Sequence, residues 1–370
     1  MKTSVRFLIL AGLILSLVIW GQARAQEKPL IQAGDTFPEV TMPAPRAAGD
    51  KAYLGLGTAP DFTLNQVSAD VILVELLSVY CYSCQKQAPI FNKLYELIEG
   101  DPKARGRIKL LGIAVGSEDL EIDEFRREYK VTFPIIQDPE FEIYHELGGT
   151  RTPFSMFVRK GPSSKEILVA STHMGFDMEY KKLLEQLVRL ADTDISSLSA
   201  QLKKPEAAAE KVEPVLAGPE LEAKVAALME EALGRQVQPE KLGLESGRTV
   251  YTATSGEGKE ARRMFAEVVA REVPCDMCHA VHFIYVFDPS GKVILFQALQ
   301  LTKHGNEPMT ADEVAKLRRH VVGSAMNGRL HFDVKVDAVA QATITSAVVY
   351  DSLSNGPALL EELKQKGLIR

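Results

Sequence analysis

Several things are scarce in this sequence, and each scarcity excludes something. Four cysteines in 370 residues cannot staple a chain of this size, so a disulfide-dense scaffold is ruled out. Net positive charge is missing: the formal charge is −6, and removing residues 1–25, which hold Lys2, Arg6 and Arg24 but no acid, takes it to about −9. That balance argues against nucleic acid as a partner. Long apolar runs are scarce too. The one present, Phe7–Trp20, has 14 residues, short of the roughly 20 a membrane-spanning helix needs. No internal repeat is visible.

The short apolar run has a meaning of its own. Lys2 and Arg6 precede it, and Ala23-Arg24-Ala25 follows with the small-x-small pattern of a cleavage site, so residues 1–25 read as a secretory signal peptide. An uncleaved membrane anchor is the alternative. No cysteine follows the run until Cys81, which argues against a lipid anchor. The expected location is extracytoplasmic, periplasmic and soluble after cleavage. The 345 residues that remain exceed what one core usually holds, so two domains are expected.

Residues 26–58 are rich in Pro, Gly and Ala and read as an irregular leader. Over 59–192, strand-length apolar runs (71–78, 108–115, 154–159, 167–170) alternate with helical patterns (85–98, 120–129, 177–190), which implies βαβ units and a mostly parallel sheet. Residues 193–247 read as a polar linker followed by a helix over 221–233. From 248 to 370 a smaller α+β unit is expected. It has strands at 249–254, 282–287 and 292–297 and helices at 259–272 and 310–322, the latter opened by a Thr310/Glu313 capping box. A last helix is expected from 343–346 to the Asn355-Gly356-Pro357 stop.

The four cysteines form two pairs of identical spacing, Cys81-Tyr82-Ser83-Cys84 and Cys275-Asp276-Met277-Cys278. Cys81 directly follows a strand run and Cys84 opens a helix. Free N–H groups and the positive dipole end of a helix favour a thiolate there. The second thiol, one turn on, is placed to resolve a mixed disulfide.

With Ala59-Pro60-Asp61-Phe62-Thr63-Leu64 upstream and Thr152-Pro153 downstream, the segment from about Pro60 to Leu190 resembles the thioredoxin superfamily, especially its exported TlpA/ResA-like branch. The resemblance implies an α/β thioredoxin-like domain with Cys81 as attacking thiolate and Cys84 as resolving thiol. It also implies a cis Pro153 that helps receive the substrate chain, and a buried acid at Glu75 that moves protons for the resolving cysteine. A glutamate exposed at a sheet edge is the alternative for Glu75. Tyr80 departs from the family, which carries Trp before the first cysteine.

In the second unit, the segment Asp337-Ala338-Val339-Ala340-Gln341-Ala342-Thr343-Ile344-Thr345-Ser346 resembles the flavin-attachment segment of FMN-binding domains in Rnf and sodium-pumping quinone reductase complexes. The resemblance implies a smaller α+β FMN-binding-like domain, with FMN as cofactor and its phosphate esterified to Thr343. Asp337, Ala342, Thr345 and Ser346 keep the pattern, whereas Ala340 replaces Ser or Thr and Gln341 replaces Gly. Ordinary helix capping by Thr343, Thr345 or Ser346 is the competing explanation.

The run Cys275-x-x-Cys278-His279-x-x-His282 leaves four readings open, in this order. They are a second redox dithiol that serves flavin or Cys81/Cys84, a c-type haem attached at Cys275, Cys278 and His279, a structural disulfide, and a metal site from Cys275, Cys278 and His279 or His282, with His304 as a distant candidate. The whole reads as an exported thiol–disulfide oxidoreductase coupled to FMN. Its expected partners are disulfide-bearing or dithiol proteins outside the cytoplasm, or a membrane electron-transfer chain. A haem-bearing electron-transfer protein, a peroxide reductase and a non-catalytic binding protein are the alternatives. The peroxide reductase lacks its usual Thr and Arg around Cys81.

Overall fold

The computed structural model describes residues 28–369 apart from 162–166, 178, 203–211, 213, 257–260 and 276–277. The signal peptide and the charged part of the linker therefore lie outside the described residues. The first unit runs β1 (Met42–Pro43), α1 (Ala48–Leu54), β2 (Asp61–Phe62), β3 (Val71–Leu77), α2 (Tyr82–Gly100), β4 (Ile108–Val115), α3 (Asp119–Tyr129), β5 (Ile135–Asp138), α4 (Glu142–Glu146), β6 (Phe154–Lys160), β7 (Ile167–Met174), α5 (Tyr180–Asp192) and α6 (Ile195–Gln201). The second runs α7 (Gly218–Leu233), β8 (Glu240–Leu242), β9 (Thr249–Ser255), β10 (Arg262–Arg271), β11 (Val281–Phe287), β12 (Val293–Gln300), α8 (Ala311–Val321), α9 (Thr343–Ser354) and α10 (Gly356–Gln365).

The first sheet has the order β5-β4-β3-β6-β7. Strands β3, β4 and β5 are parallel, and β6 and β7 close the sheet antiparallel. All seven residues of β3 are buried, as expected for a central strand covered on both faces. Its side chains alternate between two cores. Val71, Leu73 and Leu77 pack with Phe91, Leu94 and Ile98 of α2 and Leu183 and Leu187 of α5, whereas Ile72, Val74 and Leu76 face the opposite layer. Each such buried side chain contributes about 1.5–3 kcal/mol.

That opposite layer corrects the reading of residues 26–58 as an irregular leader. Ile31, Phe37, Met42 and Leu54 are buried in it, and the Ile31 N–H donates to the Leu147 carbonyl at 3.0 Å. Prolines and glycines break regularity, but the apolar residues between them cover a sheet face that would otherwise be wet.

The second sheet is an antiparallel meander, β12-β11-β10-β9-β8. Its central strand β10 corrects the helix expected over 259–272. Lys, Glu, Ala and Arg favour a helix locally, yet Met264 and Ala266 pack toward α7 while Phe265 and Val269 pack toward the helices on the other face. This alternation buries both faces of an extended strand, and tertiary burial outweighs the local preference. The α7 segment packs on the sheet through Leu221, Val225 and Met229. Helix α9 ends at the expected Asn355 stop, but it is not the last helix, because Pro357 sits in the first turn of α10. Proline lacks only an N–H that is unpaired there anyway.

Candidate active site

Cys81 is the N-cap residue of α2, with an extended backbone and no side-chain cap, and Cys84 lies in the first turn. Neither is in a disulfide and both are buried. The first-turn N–H groups of α2 are thus left for a negative sulfur to exploit. The Cys81 Sγ lies 3.3 Å from the Thr152 carbonyl, a contact in which the thiol donates. The Thr152–Pro153 peptide is cis. These contacts bring the end of β3, the start of α2 and the loop before β6 to one point.

Glu75 is 2% exposed, on the central strand rather than at an edge. It shares the face of Leu73 and Leu77, the side occupied by α2. Its Oε1 finds no hydrogen-bond partner among the described residues. Burial, reinforced by negative charge at Cys81, pushes its pKa well above the usual carboxylate range. Burial also raises the Cys84 thiol, together with the Cys81 sulfur and the charge of Glu75. A thiol that ionises poorly would need a nearby base to react, and Glu75 is a buried carboxyl whose charge Cys84 feels. Tyr80 donates its hydroxyl to Glu121 at 2.8 Å, so the residue replacing the family's Trp is held by α3.

The second unit closes over this point. The Thr152 hydroxyl donates to the Pro274 carbonyl at 2.7 Å, and Pro274 is the residue before Cys275. Arg151 makes a two-pronged ion pair with Glu272, at 2.9 and 3.1 Å. The Tyr82 ring meets the His304 ring edge-on at 6.5 Å. Further along the interface, the buried Asp351 of α9 holds both Arg271 at 2.8 Å and His145 of α4 at 3.0 Å. Burial opposes the charge of Asp351, but Arg271 and His145 outweigh it and hold the carboxyl below its ordinary value.

Cys275 and Cys278 are joined as a disulfide. Cys275 is 4% exposed and Cys278 half-buried. That bond fits the redox-dithiol and structural-disulfide readings of the pair, whereas haem attachment would need both sulfurs reduced. The exposed His279 gives its backbone N–H to Asn306 at 2.8 Å. Among the described residues no group of three or more His, Cys, Asp or Glu is arranged to hold a metal. His282 is buried in β11, which drives its pKa down.

Thr343 is the first residue of α9, and its N-cap, Ala342, offers no side-chain cap. Gln341, which stands where the flavin-attachment pattern has Gly, adopts the left-handed conformation at φ 61°. That is the backbone a glycine is usually needed for. Thr345 and Ser346 point inward, with Thr345 donating to the Thr302 carbonyl and Ser346 to that of Ala342. Asp337 pairs with His320 at 3.2 Å. Because His304 donates its N–H to the Gln341 carbonyl at 2.7 Å, the start of α9 is tied to the residue that meets Tyr82. Cys81/Cys84, Cys275–Cys278 and the start of α9 are thus linked through Thr152 and His304. Sequence reasoning named Thr152 and Tyr82 only within their motifs and missed their contacts with the second unit, and it missed Arg151 and Glu272 altogether, because all these partners are far away in the chain and leave no spacing signal.

The parallel-then-antiparallel sheet, the cysteine pair opening α2 and the cis-proline loop define a thioredoxin-like thiol–disulfide oxidoreductase domain spanning about a third of the chain. That third is similar to the thiol-disulfide oxidoreductase ResA of Geobacillus thermodenitrificans, 22% identical over 133 residues (33% of this chain, 74% of the relative). The ResA of Oceanobacillus iheyensis is 23% identical over 133 residues, covering 32% and 67%. Among solved structures, StoA from Bacillus subtilis matches at 18% identity and a TM-score of 0.30, over 40% of this chain and 97% of its own. A secreted thiol-disulfide isomerase from Corynebacterium glutamicum matches at 17% and 0.32, over 42% and 86%. No family model matches the chain.

Proposed function

We propose that this chain is an exported thiol–disulfide oxidoreductase acting on disulfide-bearing or dithiol proteins outside the cytoplasm. The observation that carries the proposal is the Cys81/Cys84 pair, outside any disulfide at the start of α2, set against the cis Thr152–Pro153 peptide and near a buried Glu75 whose Oε1 has no hydrogen-bond partner among the described residues. In this reading the Cys81 thiolate attacks a partner disulfide, Cys84 gives its proton to Glu75, and Cys84 then releases the partner by attacking Cys81. Export rests on the signal-like residues 1–25. Among the described residues no helix is long and apolar enough to cross a membrane. The test is capture: a Cys84→Ser chain should accumulate mixed disulfides through Cys81, and failure to trap any partner peptide would falsify the exchange.

A second element of the reading is FMN at α9. The left-handed Gln341 and the uncapped first turn of α9 support it, because they supply the backbone and the free N–H groups that a phosphate needs. Thr343 would take the phosphate, flanked by Asp337, Ala342, Thr345 and Ser346. Flavin accepts electrons singly or in pairs, so it would let a two-electron thiol pair communicate with a one-electron respiratory chain. The measurement is a visible spectrum of chain made in a host with flavin-transfer machinery, repeated after acid precipitation. A flavin band that stays with the precipitate and vanishes in Thr343→Ala is expected. A colourless chain from that host removes FMN from the reading.

A further inference from the structure

Cys81 is 1% exposed, although a nucleophile that serves other proteins needs an open face. What lies against its groove is the protein's own second unit. Thr152, whose carbonyl meets the Cys81 sulfur, uses its hydroxyl to hold the Pro274 carbonyl at 2.7 Å, and the next residue is a disulfide cysteine. Backbone held beside the cis-proline loop with a disulfide adjoining it is the posture of a bound substrate. Arg151–Glu272 and Tyr82–His304 flank the contact on the same two units.

We propose that the Cys275–Cys278 disulfide is the internal substrate of Cys81/Cys84, so that the second unit relays electron pairs between that site and an outside disulfide-bearing protein. The proposal rests on the reading of Cys81/Cys84 as a thiol–disulfide exchanger. Cys275 is the inner sulfur, buried and adjacent to the residue Thr152 holds, while the half-buried Cys278 is the outer one that meets partners. The Cys81 thiolate attacks the Cys275 sulfur, forming the Cys81–Cys275 bond and breaking Cys275–Cys278. Cys278 leaves as a thiolate and takes up a proton. Cys84 then loses its proton to Glu75 and attacks the Cys81 sulfur. The Cys81–Cys84 bond forms, and Cys275 leaves and is protonated. Two electrons have moved from the first pair to the second, and the two protons lost are matched by two gained. The reduced Cys275/Cys278 dithiol is reoxidised by a disulfide of the partner protein, which is itself reduced to a dithiol.

The test uses the full mature chain carrying Cys84→Ser, with Cys84→Ala as a second variant in case serine disturbs the buried site. Samples are acid-quenched, alkylated, digested without reductant and examined by mass spectrometry. The expected product is a Cys81–Cys275 linked peptide with Cys278 alkylated, in a fraction unchanged over a hundredfold dilution. Partners on one chain meet at an effective concentration of order millimolar, so against a peptide disulfide added at ~100 μM the internal link should form about tenfold faster. A link whose yield falls with dilution means exchange between chains and overturns the proposal. No link, with the added peptide still captured on Cys81, overturns the internal substrate and leaves the exchange reading intact. Capture of neither overturns both.

Discussion

Replacing Glu75 with leucine should make the protein more stable and less active at once. The carboxyl is 2% exposed on the central strand and its Oε1 has no hydrogen-bond partner among the described residues. Leaving a buried polar group unpaired costs about 1–3 kcal/mol, which an aliphatic side chain of similar reach recovers. At about 2–4 °C per kcal/mol for a unit of this size, the melting transition of the first sheet should rise by about 2–12 °C. The gain depends on pH. Glu75 titrates well above its ordinary 4.5 when folded, so the folded chain holds its proton longer than the unfolded one. Wild-type stability therefore falls as pH rises from about 4.5 toward the folded pKa. Glu75→Leu loses that slope, and the gap between the two proteins widens toward neutral pH. Activity should move the other way: without a base for Cys84, the second step of exchange slows by about 10²–10⁴-fold. Thermal melts across pH 4–8, paired with stopped-flow release of a mixed-disulfide peptide, measure both. A variant that melts lower and turns over at the wild-type rate would refute the role given to Glu75 on both counts.

Other perturbations address the closure over the site. The Arg151–Glu272 pair is partly exposed, with side chains 40% and 30% accessible, so Arg151→Ala should weaken closure by only about 0.2–1 kcal/mol. Alkylation of reduced Cys81 by a small reagent should then accelerate about 1.4–5-fold, and an unchanged rate would mean that this pair does not hold the units together. Asp351 is the stronger fastening, since breaking a buried ion pair costs about 3–5 kcal/mol. Asp351→Ala should expose Cys81 far more than Arg151→Ala does. In the wild type, because the folded Asp351 titrates below its ordinary 3.8, its contribution is complete above that value and is lost as pH falls through the folded pKa. Cys81 should accordingly stay protected down to about pH 4 and open below it, a trend that hydrogen exchange at the 147–153 loop can follow.

The parts of the fold that could be read in the sequence are those where burial and local preference agree. The strand at 108–115 is an apolar run broken only by Lys109, in the interior of a covered sheet, and the Thr310/Glu313 capping box starts a helix as its spacing predicts. Strand β10 was illegible because its Ala, Glu and Arg residues favour a helix until two layers exist to bury Phe265 on one side and Met264 on the other. Strand β5 and helix α4 are too short to build a period. Within the site, the parity of β3 is enough to put Glu75 on the same side as Leu73 and Leu77, facing α2. The Thr152 hydroxyl and the Pro274 carbonyl are 122 residues apart, and only the docking of one finished unit on another brings them together.

Cys81 is 1% exposed and the second unit is held beside it through Thr152 and Tyr82, which sets a clock on the chain's encounters. A partner can touch that sulfur only in the fraction of molecules whose two halves have parted. If parting costs about 2.7 kcal/mol, that fraction is about 1%, and every outside reagent is slowed about a hundredfold by the same factor. A small oxidant in an oxidising compartment pays this delay at each attempt, whereas a protein that grips the exposed rim around His279 remains until the gap opens. Selectivity of this kind comes from residence time, and it needs no pocket shaped to any one partner.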